Sequence, residues 1–364
     1  MRLLIWQWGR RGAGPRYAAE LAQALRDAPG VTPILSLSRQ AELVQAGLAV
    51  PELPVGTYDG MAGWAARMLA IPVTARRLAR QLQERRLDAA FCAMPGPLDL
   101  LMARALRLAR VPFAVAVHDA ELHPGDILPL QMRLQRVLLS RADALITFSP
   151  HVTSMLRRQG RVRGRPMIET TLSPFAFGPP PPPPRAHGGP FRLLCFGRLL
   201  PYKGLDLLAD ALKLLGRREG LSVRVVGAGP ESADLNRLRR FAAVENRWVP
   251  EGELASLLGW ADGVVLPYRE ASQSGVAAAA VAAGRFVLAT RVGGLPDQLA
   301  HAPRARLCEI DAHDLARAIT ELMQEPAAVN PQPAAHAEQA WRRQAADLAH
   351  QIEVGCGQGE RGAG

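Results

Sequence analysis

Arg198 and Lys203 stand in the stretch "FGRLLPYKGLDLL", residues 196–208, between an apolar run ending at Gly197 and a helical pattern opening near Gly204. Two cations beside a helix N-terminus suit a diphosphate, because point charges, N–H donors and the positive end of the helix dipole converge there. The same residues also read as an ordinary solvated pair on a loop, and spacing does not separate the two readings. A second candidate is "VVGAGP", where Gly227 and Gly229 follow an apolar strand. Glycine lets a ligand approach the backbone, although a lone GxG is more often a plain structural turn. Around Val249, in "NRWVPEGELASLLGWADGVVLPY", the backbone could hydrogen-bond a base edge or simply join strand to helix. The fourth candidate is "YREASQSGVAAAAVAAGRFVLAT". Its Ser272, Gln273, Ser274, Gly275 and Val276 sit at a loop-to-helix transition, where hydroxyls and N–H groups can cap the helix and bind an anion. Glu270 precedes them, in position to accept a hydrogen bond from a sugar hydroxyl. A plain N-cap on a buried, alanine-rich helix accounts for the same residues.

These loops need strands and helices to hold them. The first half opens with the strand "RLLIWQW", the loop "GRRGAGPR" and the helix "YAAELAQALRDA", followed by the strand "VTPILSLS". The helical stretch "MAGWAARMLAIPVTARRLARQLQERR" breaks or kinks at Pro72. Short strands "DAAFCAM" and "PFAVAVHD", the helix "MRLQRVLLSRA" and the strand "DALITFS" follow, with a helix start at Ser149 and Pro150. After residue 190 the pattern begins again: "FRLLCFG", the helix "GLDLLADALKLLGRR", "LSVRVVGAG", the helix "ESADLNRLRRFAA", the short "NRWV", the helix "EGELASLLGWA" and "DGVVLPY". A last helix covers "PAAHAEQAWRRQAADLAHQIEV". Between the halves lies "SPFAFGPPPPPPRAHGGPF", a stiff polyproline run that reads as an interdomain linker. Continuous apolar strands alternating with amphipathic helices predict parallel sheets covered on both faces. The expected fold is therefore α/β, with two doubly wound, Rossmann-like domains facing a cleft. Their bounds are 1–178 and 191–334, joined by a linker at 179–190, with the last helix at about 335–355. Ligands bind beyond the carboxyl ends of such strands.

Composition narrows the classes. The chain has 364 residues, 48% hydrophobic and 21% charged, enough apolar material for two cores. Its net charge of +11 suits anionic ligands, anionic lipid or nucleic acid without choosing among them. Aromatics at 5% argue against a base-stacking surface, and no nucleic-acid motif is present. Cys92, Cys195, Cys308 and Cys356 form no CxxC, so neither a zinc site nor a disulfide framework is expected. The opening "MRLLIWQWGRRGAG" is too short in its apolar run for a signal peptide. No stretch approaches the roughly 18 apolar residues that span a bilayer. A cytoplasmic protein, free or resting on a membrane surface, is the expectation.

The segments "FGRLLPYKGLDLLADAL", "VVGAGP" and "ADGVVLPYREASQSGVAAAAVAAGRFVLATRVGGLPD", in this order, resemble the C-terminal half of the retaining GT-B glycosyltransferases of family 4. The match is strongest over about residues 191–300, and the C-terminal helix at about 335–355, with Trp341, fits the family's habit of crossing back onto the first domain. "GRRGAGPRYAAELAQAL" is similar to the family's glycine-rich first loop, and "AVAVHDAELHPGD" to the loop carrying its histidine. The resemblance implies that Arg198 and Lys203 grip a donor diphosphate, and that Ser272 to Val276 supply N–H groups to phosphate and sugar. It implies that Gly12 and Gly14 close over the donor, and that His118 contacts the donor sugar. Asp119 would orient that histidine or cap a turn, and His123 is a second choice. A lone histidine is commonly structural, but "HD" at a strand's carboxyl end favours function. The family also carries two glutamates eight positions apart. Counting back from Gly284 puts the second, the ribose ligand, at Ala279 and the first at Ala271. A one-residue insertion restores Glu270 to the first role; the second is absent.

The resemblance further implies an EC 2.4 hexosyltransferase with a UDP- or GDP-linked co-substrate and no cofactor. The metal-binding DxD of the other major glycosyltransferase fold is missing, so metal independence is expected. The acceptor would be a glycan or lipid-linked glycan, in envelope or exopolysaccharide synthesis. Trp64, Met68, Leu69 and Ile71 mix with Arg67, Arg76, Arg77, Arg80, Arg85 and Arg86, and "MLRRQGRVRGR" adds further arginines. Basic amphipathic helices attract anionic membranes, and a solvated arginine face explains the pattern equally well. Two rivals remain. A dinucleotide enzyme fails because Tyr17 stands where the third glycine of GxGxxG belongs. A non-catalytic relative that binds a nucleotide-sugar or a partner finds its argument in Ala279.

Overall fold

The computed structural model describes residues 1–120, 129–160, 162, 164–326 and 333–357. The chain divides into two compact units. One comprises Met1–Ala120, the stretch from 129 to Thr171, and the chain from Trp341 onward; the other runs from Leu172 to Ala340.

The first unit holds β1 (Arg2–Gln7), β2 (Thr32–Leu37), β3 (Ala89–Cys92), β4 (Phe113–Val117), β5 (Ala144–Thr147) and β6 (Met167–Glu169). They form one parallel sheet in the order β2-β1-β3-β4-β5-β6. The second holds β7 (Phe191–Phe196), β8 (Leu221–Gly227), β9 (Ala243–Asn246), β10 (Gly263–Leu266), β11 (Phe286–Thr290) and β12 (Ala305–Cys308). Their order is β12-β11-β10-β7-β8-β9, again all parallel. Both sheets are the doubly wound α/β type that the alternation predicts. The central strands β1, β3, β4, β10 and β11 are mostly apolar because helices cover both faces, whereas β8, β9 and β12 carry Arg224, Glu245 and Arg306. In β7, Leu193 and Cys195 enter one core cluster and Leu194 and Phe196 the other, so successive side chains are buried on opposite sides.

The order of strands sets where a ligand can sit. In the second sheet the chain runs β7, β8, β9 outward, then returns to place β10 on the other side of β7. The first sheet reverses the same way between β1 and β3. Such switch points open a crevice at the strands' carboxyl ends.

Several elements differ from the pattern-based expectation. The helix after β1 begins at Ala13 rather than Tyr17, since Gly12 takes φ 84° and serves as its N-cap. β9 covers Ala243–Asn246, upstream of "NRWV", and Pro250 begins the next turn. The edge strands β6 and β12 and the helix Ala312–Gln324 carry no signal that the alternation singled out. Pro72 does mark a boundary: the helices Gly60–Leu69 and Ile71–Glu84 meet at Ala70.

The proline run lies along the second unit. Arg285, 2% exposed, donates to Pro182 O at 2.5 Å, to Ala261 O at 2.8 Å and to Ala283 O at 2.9 Å. Burial pulls its guanidinium down to about 10, which leaves it charged at neutral pH. Asp262, 1% exposed, accepts from the backbone N–H groups of Arg185 and Arg192 and lies 3.0 Å from His187 Nε2. A proline run offers carbonyls but no N–H, so a buried arginine donor is the fitting partner. In the first unit, Trp341 of the helix Pro333–Gly357 sets its ring 5.4 Å from that of Tyr17, and Gln344 donates to Thr170 Oγ1 at 3.0 Å.

Candidate functional site

In the second unit, two loops flank the switch point: residues 197–204 after β7 and 267–274 after β10. Gly197 leaves β7 at φ 114°, and a single 3-10 turn, Pro201–Lys203, leads into the helix Leu205–Leu215. Two buried tyrosines hold the cations. Arg198 Nη2 donates to Tyr202 Oη at 2.7 Å, and its guanidinium carbon lies 5.6 Å from that ring's centre. Lys203 Nζ sits 3.6 Å from the Tyr268 ring centre and 4.9 Å from that of Tyr202. Cation–π attraction and a fixed hydroxyl give both charges a set position before any ligand arrives. Burial drives the Tyr268 phenol far above its ordinary value, so it stays neutral. Nearby Cys195 is pushed up to about 12 by burial and is no nucleophile at neutral pH.

The glycines here answer to packing. A Cβ on Gly227 would stand 1.7 Å from Gly197 O, and one on Gly229 2.1 Å from Leu199 O. Backbone bonds knit the same strip: Leu199 N donates to Ala228 O at 2.9 Å and Gly229 N to Asn246 Oδ1 at 3.0 Å. Gly227 and Gly229 therefore let the 197–199 loop lie flat on the β8 turn, whatever ligand binds. Gly204 meets the same demand against Pro267 O, 1.7 Å from its notional Cβ.

The helix Gly275–Ala282 starts at the same crevice. Ser274 is its N-cap, its Oγ accepting from Ala277 N at 3.2 Å. Gln298 clamps Ser274 from both sides, accepting from its N–H at 2.8 Å and donating to its carbonyl at 2.9 Å. So the Ser274 N–H is committed within the protein. Gly275 and Val276 occupy the first helical turn, where no intrahelical acceptor exists for their N–H groups. The Val276 side chain lies over Gly197, 3.2 Å from a notional Cβ there, which fixes the helix start against the cation loop. Ser272 is buried, Gln273 half-buried and Glu270 exposed beside this turn. Ala279 is 2% exposed and belongs to the adjoining core cluster. Val249, half-buried, packs against that same cluster.

In the first unit, His118 follows β4. Its Nε2 donates to Ala93 O at 2.8 Å, and its ring stacks on Phe148 at 4.6 Å, with Tyr17 edge-on at 6.4 Å. Burial lowers its pKa, against smaller opposing effects of that hydrogen bond and Asp119. A neutral imidazole donating through Nε2 keeps Nδ1 as an acceptor. The carbonyl of Ala93 belongs to the loop after β3, which Asp99 fastens. The Asp99 carboxylate accepts from Gly96 N at 2.6 Å, Trp6 Nε1 at 3.2 Å and Cys92 Sγ at 3.4 Å. Gly14 is buried against Gln7 and Met94, with 2.9 Å and 3.0 Å to a notional Cβ, whereas Gly12 is exposed. His123 lies outside the described residues.

The second unit thus gathers Arg198, Lys203, Ser272, Gln273, Gly275, Val276 and Glu270 around one switch point. Sequence reasoning missed Tyr202, Tyr268 and Gln298. The first two stand in the quoted "LLPYKG" and "VVLPY", but nothing in one dimension pairs Lys203 with Tyr268. Among the described residues no cluster of three His, Cys, Asp or Glu side chains could hold a metal ion.

Comparison with known proteins agrees with this architecture. The profile described as Glycosyl transferases group 1 matches residues 190–325, and that described as Glycosyl transferase 4-like domain matches residues 12–168. The chain belongs to the group 1 glycosyl transferases of family 4, and its paired parallel sheets are the GT-B architecture. D-inositol 3-phosphate glycosyltransferase of Jonesia denitrificans is 38% identical over 118 residues, 29% of this chain and 28% of that enzyme. The match therefore spans little more than a quarter of that relative's length. The GDP-mannose-dependent alpha-(1-6)-phosphatidylinositol monomannoside mannosyltransferase of Mycolicibacterium smegmatis is 25% identical over 280 residues, 71% of this chain and 73% of that one. Among solved structures, Anabaena HepE in complex with UDP matches with a TM-score of 0.67 at 20% identity, over 96% of this chain and 99% of that one.

Proposed function

We propose that the protein is a retaining hexosyltransferase that moves a sugar from a UDP- or GDP-linked donor to a glycan or lipid-linked glycan, in envelope or exopolysaccharide synthesis. The observation that carries this reading is the pair Arg198 and Lys203, fixed on Tyr202 and Tyr268 beside the N–H groups of Gly275 and Val276. A glycosyl group leaves through an oxocarbenium-like transition state, so negative charge builds on the departing diphosphate. Cations and N–H groups already fixed at that position lower the barrier without reorganising. Arg198 and Lys203 supply the charge that a divalent ion would otherwise bring, so the reaction proceeds without metal. No side chain is assigned as a covalent nucleophile; as the bond from the sugar's anomeric carbon to the diphosphate breaks, the acceptor oxygen bonds that carbon on the same face and gives its proton to the departing diphosphate, which retains configuration. On this reading Glu270 and His118 contact the donor sugar, Gly12 and Gly14 the donor, and the backbone at Val249 the base.

The names of the relatives support a lipid-linked acceptor: one acts on phosphatidylinositol monomannoside, and another, from Xanthomonas campestris, is a GDP-mannose:glycolipid 4-beta-D-mannosyltransferase. On this reading the protein works on the cytoplasmic side of a membrane, attached peripherally; no helix among the described residues is long and apolar enough to cross one. A second reading, a non-catalytic nucleotide-sugar binder, is favoured by Ala279, whose buried methyl stands where the family's ribose glutamate is expected. A panel of UDP- and GDP-hexoses, assayed with lipid-linked acceptors with and without EDTA, separates the two. A product of retained anomeric configuration by NMR, formed in EDTA, is the expected result. Donor binding with no turnover across the panel would favour the second reading, and an inverted product would refute the mechanism.

A further inference from the structure

Ser274, the N-cap of the helix Gly275–Ala282, is buried and has every polar atom engaged within the protein. Its Oγ accepts from Ala277 N at 3.2 Å and lies 3.3 Å from Tyr268 Oη. Its carbonyl accepts from Ala278 N at 3.1 Å and from Gln298 Nε2 at 2.9 Å. Its N–H donates to Gln298 Oε1 at 2.8 Å. One amide side chain, 24 residues along the chain, therefore takes both the backbone donor and the backbone acceptor of the cap residue.

The segment that carries Gln298 is itself fixed against the same loop. Gly293 turns at φ 51°, and a Cβ there would stand 1.7 Å from Ala271 O. Gly294 N donates to that carbonyl at 3.0 Å. Gly294 O in turn accepts from Gln298 N at 3.0 Å, in the short helix Leu295–Leu299, whose Leu295 and Leu299 are buried. Residues 293–298 thus grip the 271–274 loop at two points, Ala271 and Ser274. The Ser274 N–H is withdrawn, and the Ala277 N–H is bonded to Ser274 Oγ. The helix start is left to present the N–H groups of Gly275 and Val276 between them. Those groups point where the cap residue's backbone turns them, so holding Ser274 sets the direction in which the helix start meets an anion.

We propose that Gln298 is a positioning residue for the donor diphosphate: by clamping Ser274 on both sides, it holds the helix start in its binding geometry before the nucleotide arrives. Gln298 acts through Ser274 and touches no ligand itself. A pre-set site gives up less freedom on binding than one that must first order, so losing the clamp weakens affinity without removing any ligand group. The inference rests on the reading of the crevice between β7 and β10 as the donor site, and adds to it a residue outside both flanking loops.

The experiment is calorimetric titration of the full chain with UDP and with GDP, at about pH 8 and about pH 4.5. The proteins are wild type, Gln298→Leu, Gln298→Glu and Arg198→Ala/Lys203→Ala. Leucine fills similar space with neither donor nor acceptor, so Gln298→Leu should bind about tenfold more weakly at both pH values. At the higher pH the carboxylate of Gln298→Glu still accepts from Ser274 N but offers the Ser274 carbonyl no donor, and the loss should be at least as large. A neutral carboxyl regains both bonds, its C=O accepting and its O–H donating. A glutamic acid titrates at about 4.3, so roughly two-fifths is neutral at the lower pH, and the gap to wild type should close to within about threefold. Reading each variant against wild type at the same pH removes the nucleotide's own titration. Wild-type affinity in Gln298→Leu, or no pH dependence of Gln298→Glu relative to wild type, overturns the inference. Should Gln298→Leu fail to fold, the pH ratio of Gln298→Glu decides alone. The double cation variant separates the two claims. If it loses nucleotide while the Gln298 variants keep it, only the positioning role falls; if it binds as wild type does, or if wild type binds neither nucleotide, the site reading falls and the inference with it.

Discussion

The double substitution Arg198→Ala/Lys203→Ala removes the two charges assigned to the donor diphosphate and leaves the scaffold in place. Neither side chain belongs to a core cluster, and the Pro201–Lys203 turn is closed by backbone bonds such as Lys203 N to Leu200 O at 2.9 Å. A hydrogen bond to a charged group contributes about 1.5–3 kcal/mol. Arg198 is exposed and Lys203 half-buried, so the lower end applies. A combined loss of about 3–4 kcal/mol corresponds to a fall of roughly 150- to 1000-fold in affinity for UDP or GDP. The tyrosines give a finer check. Tyr202→Phe keeps the ring under the cations and deletes only the hydroxyl that Arg198 Nη2 meets at 2.7 Å. That should cost about 1 kcal/mol, near fivefold, through a less ordered Arg198. Isothermal titration calorimetry with UDP and GDP reads all three proteins. If the double variant binds both nucleotides as tightly as wild type, the crevice between β7 and β10 is not the diphosphate site.

Two further outcomes are expected. Gly227→Ala places a methyl 1.7 Å from Gly197 O, so the 197–199 loop must move off the β8 turn; a stability loss on the order of 2–4 kcal/mol follows, and an unchanged thermal midpoint would contradict the close approach. Burial raises Asp99 from its ordinary 3.8 to about 7, against the bonds donated by Gly96, Cys92 and Trp6. Its neutral form therefore favours the fold: that stability is complete below about pH 4 and is lost as pH rises through about 7. Asp99→Asn, neutral throughout, should hold its urea midpoint more evenly between pH 5 and 8 than wild type, and parallel pH profiles would sink the assignment.

Much of the molecule was legible in one dimension. Apolar runs alternating with amphipathic helices are local signals, and they define two parallel sheets because strands buried on both faces must be apolar throughout. Loops after strands are local too, so Arg198, Lys203 and Ser272 to Val276 could be picked out before any strand was paired. The short edge strands β6 and β12 escaped because three or four residues carry too little periodicity to register. β9 was displaced toward "NRWV", since the pairing that defines it runs Arg224 to Ala243 through Gly227 to Asn246, a partnership made across the sheet.

What the sequence by itself determined was the class of fold, the positions of Arg198 and Lys203 after one strand, the loop-to-helix turn at Ser272 to Val276, and the alanine at position 279. What only the tertiary structure decided was how those parts are held. Strand order brings β10 beside β7, and with it Tyr268 under Lys203. Gln298, far along the chain, takes up the Ser274 N–H and leaves those of Gly275 and Val276 at the helix start. Gly227 and Gly229 proved to answer to carbonyls of the neighbouring loop, and the proline run to a buried arginine. The reason is the same each time. Close approach between distant segments depends on which strands pair and in what register, and residue type along the chain does not encode that distance.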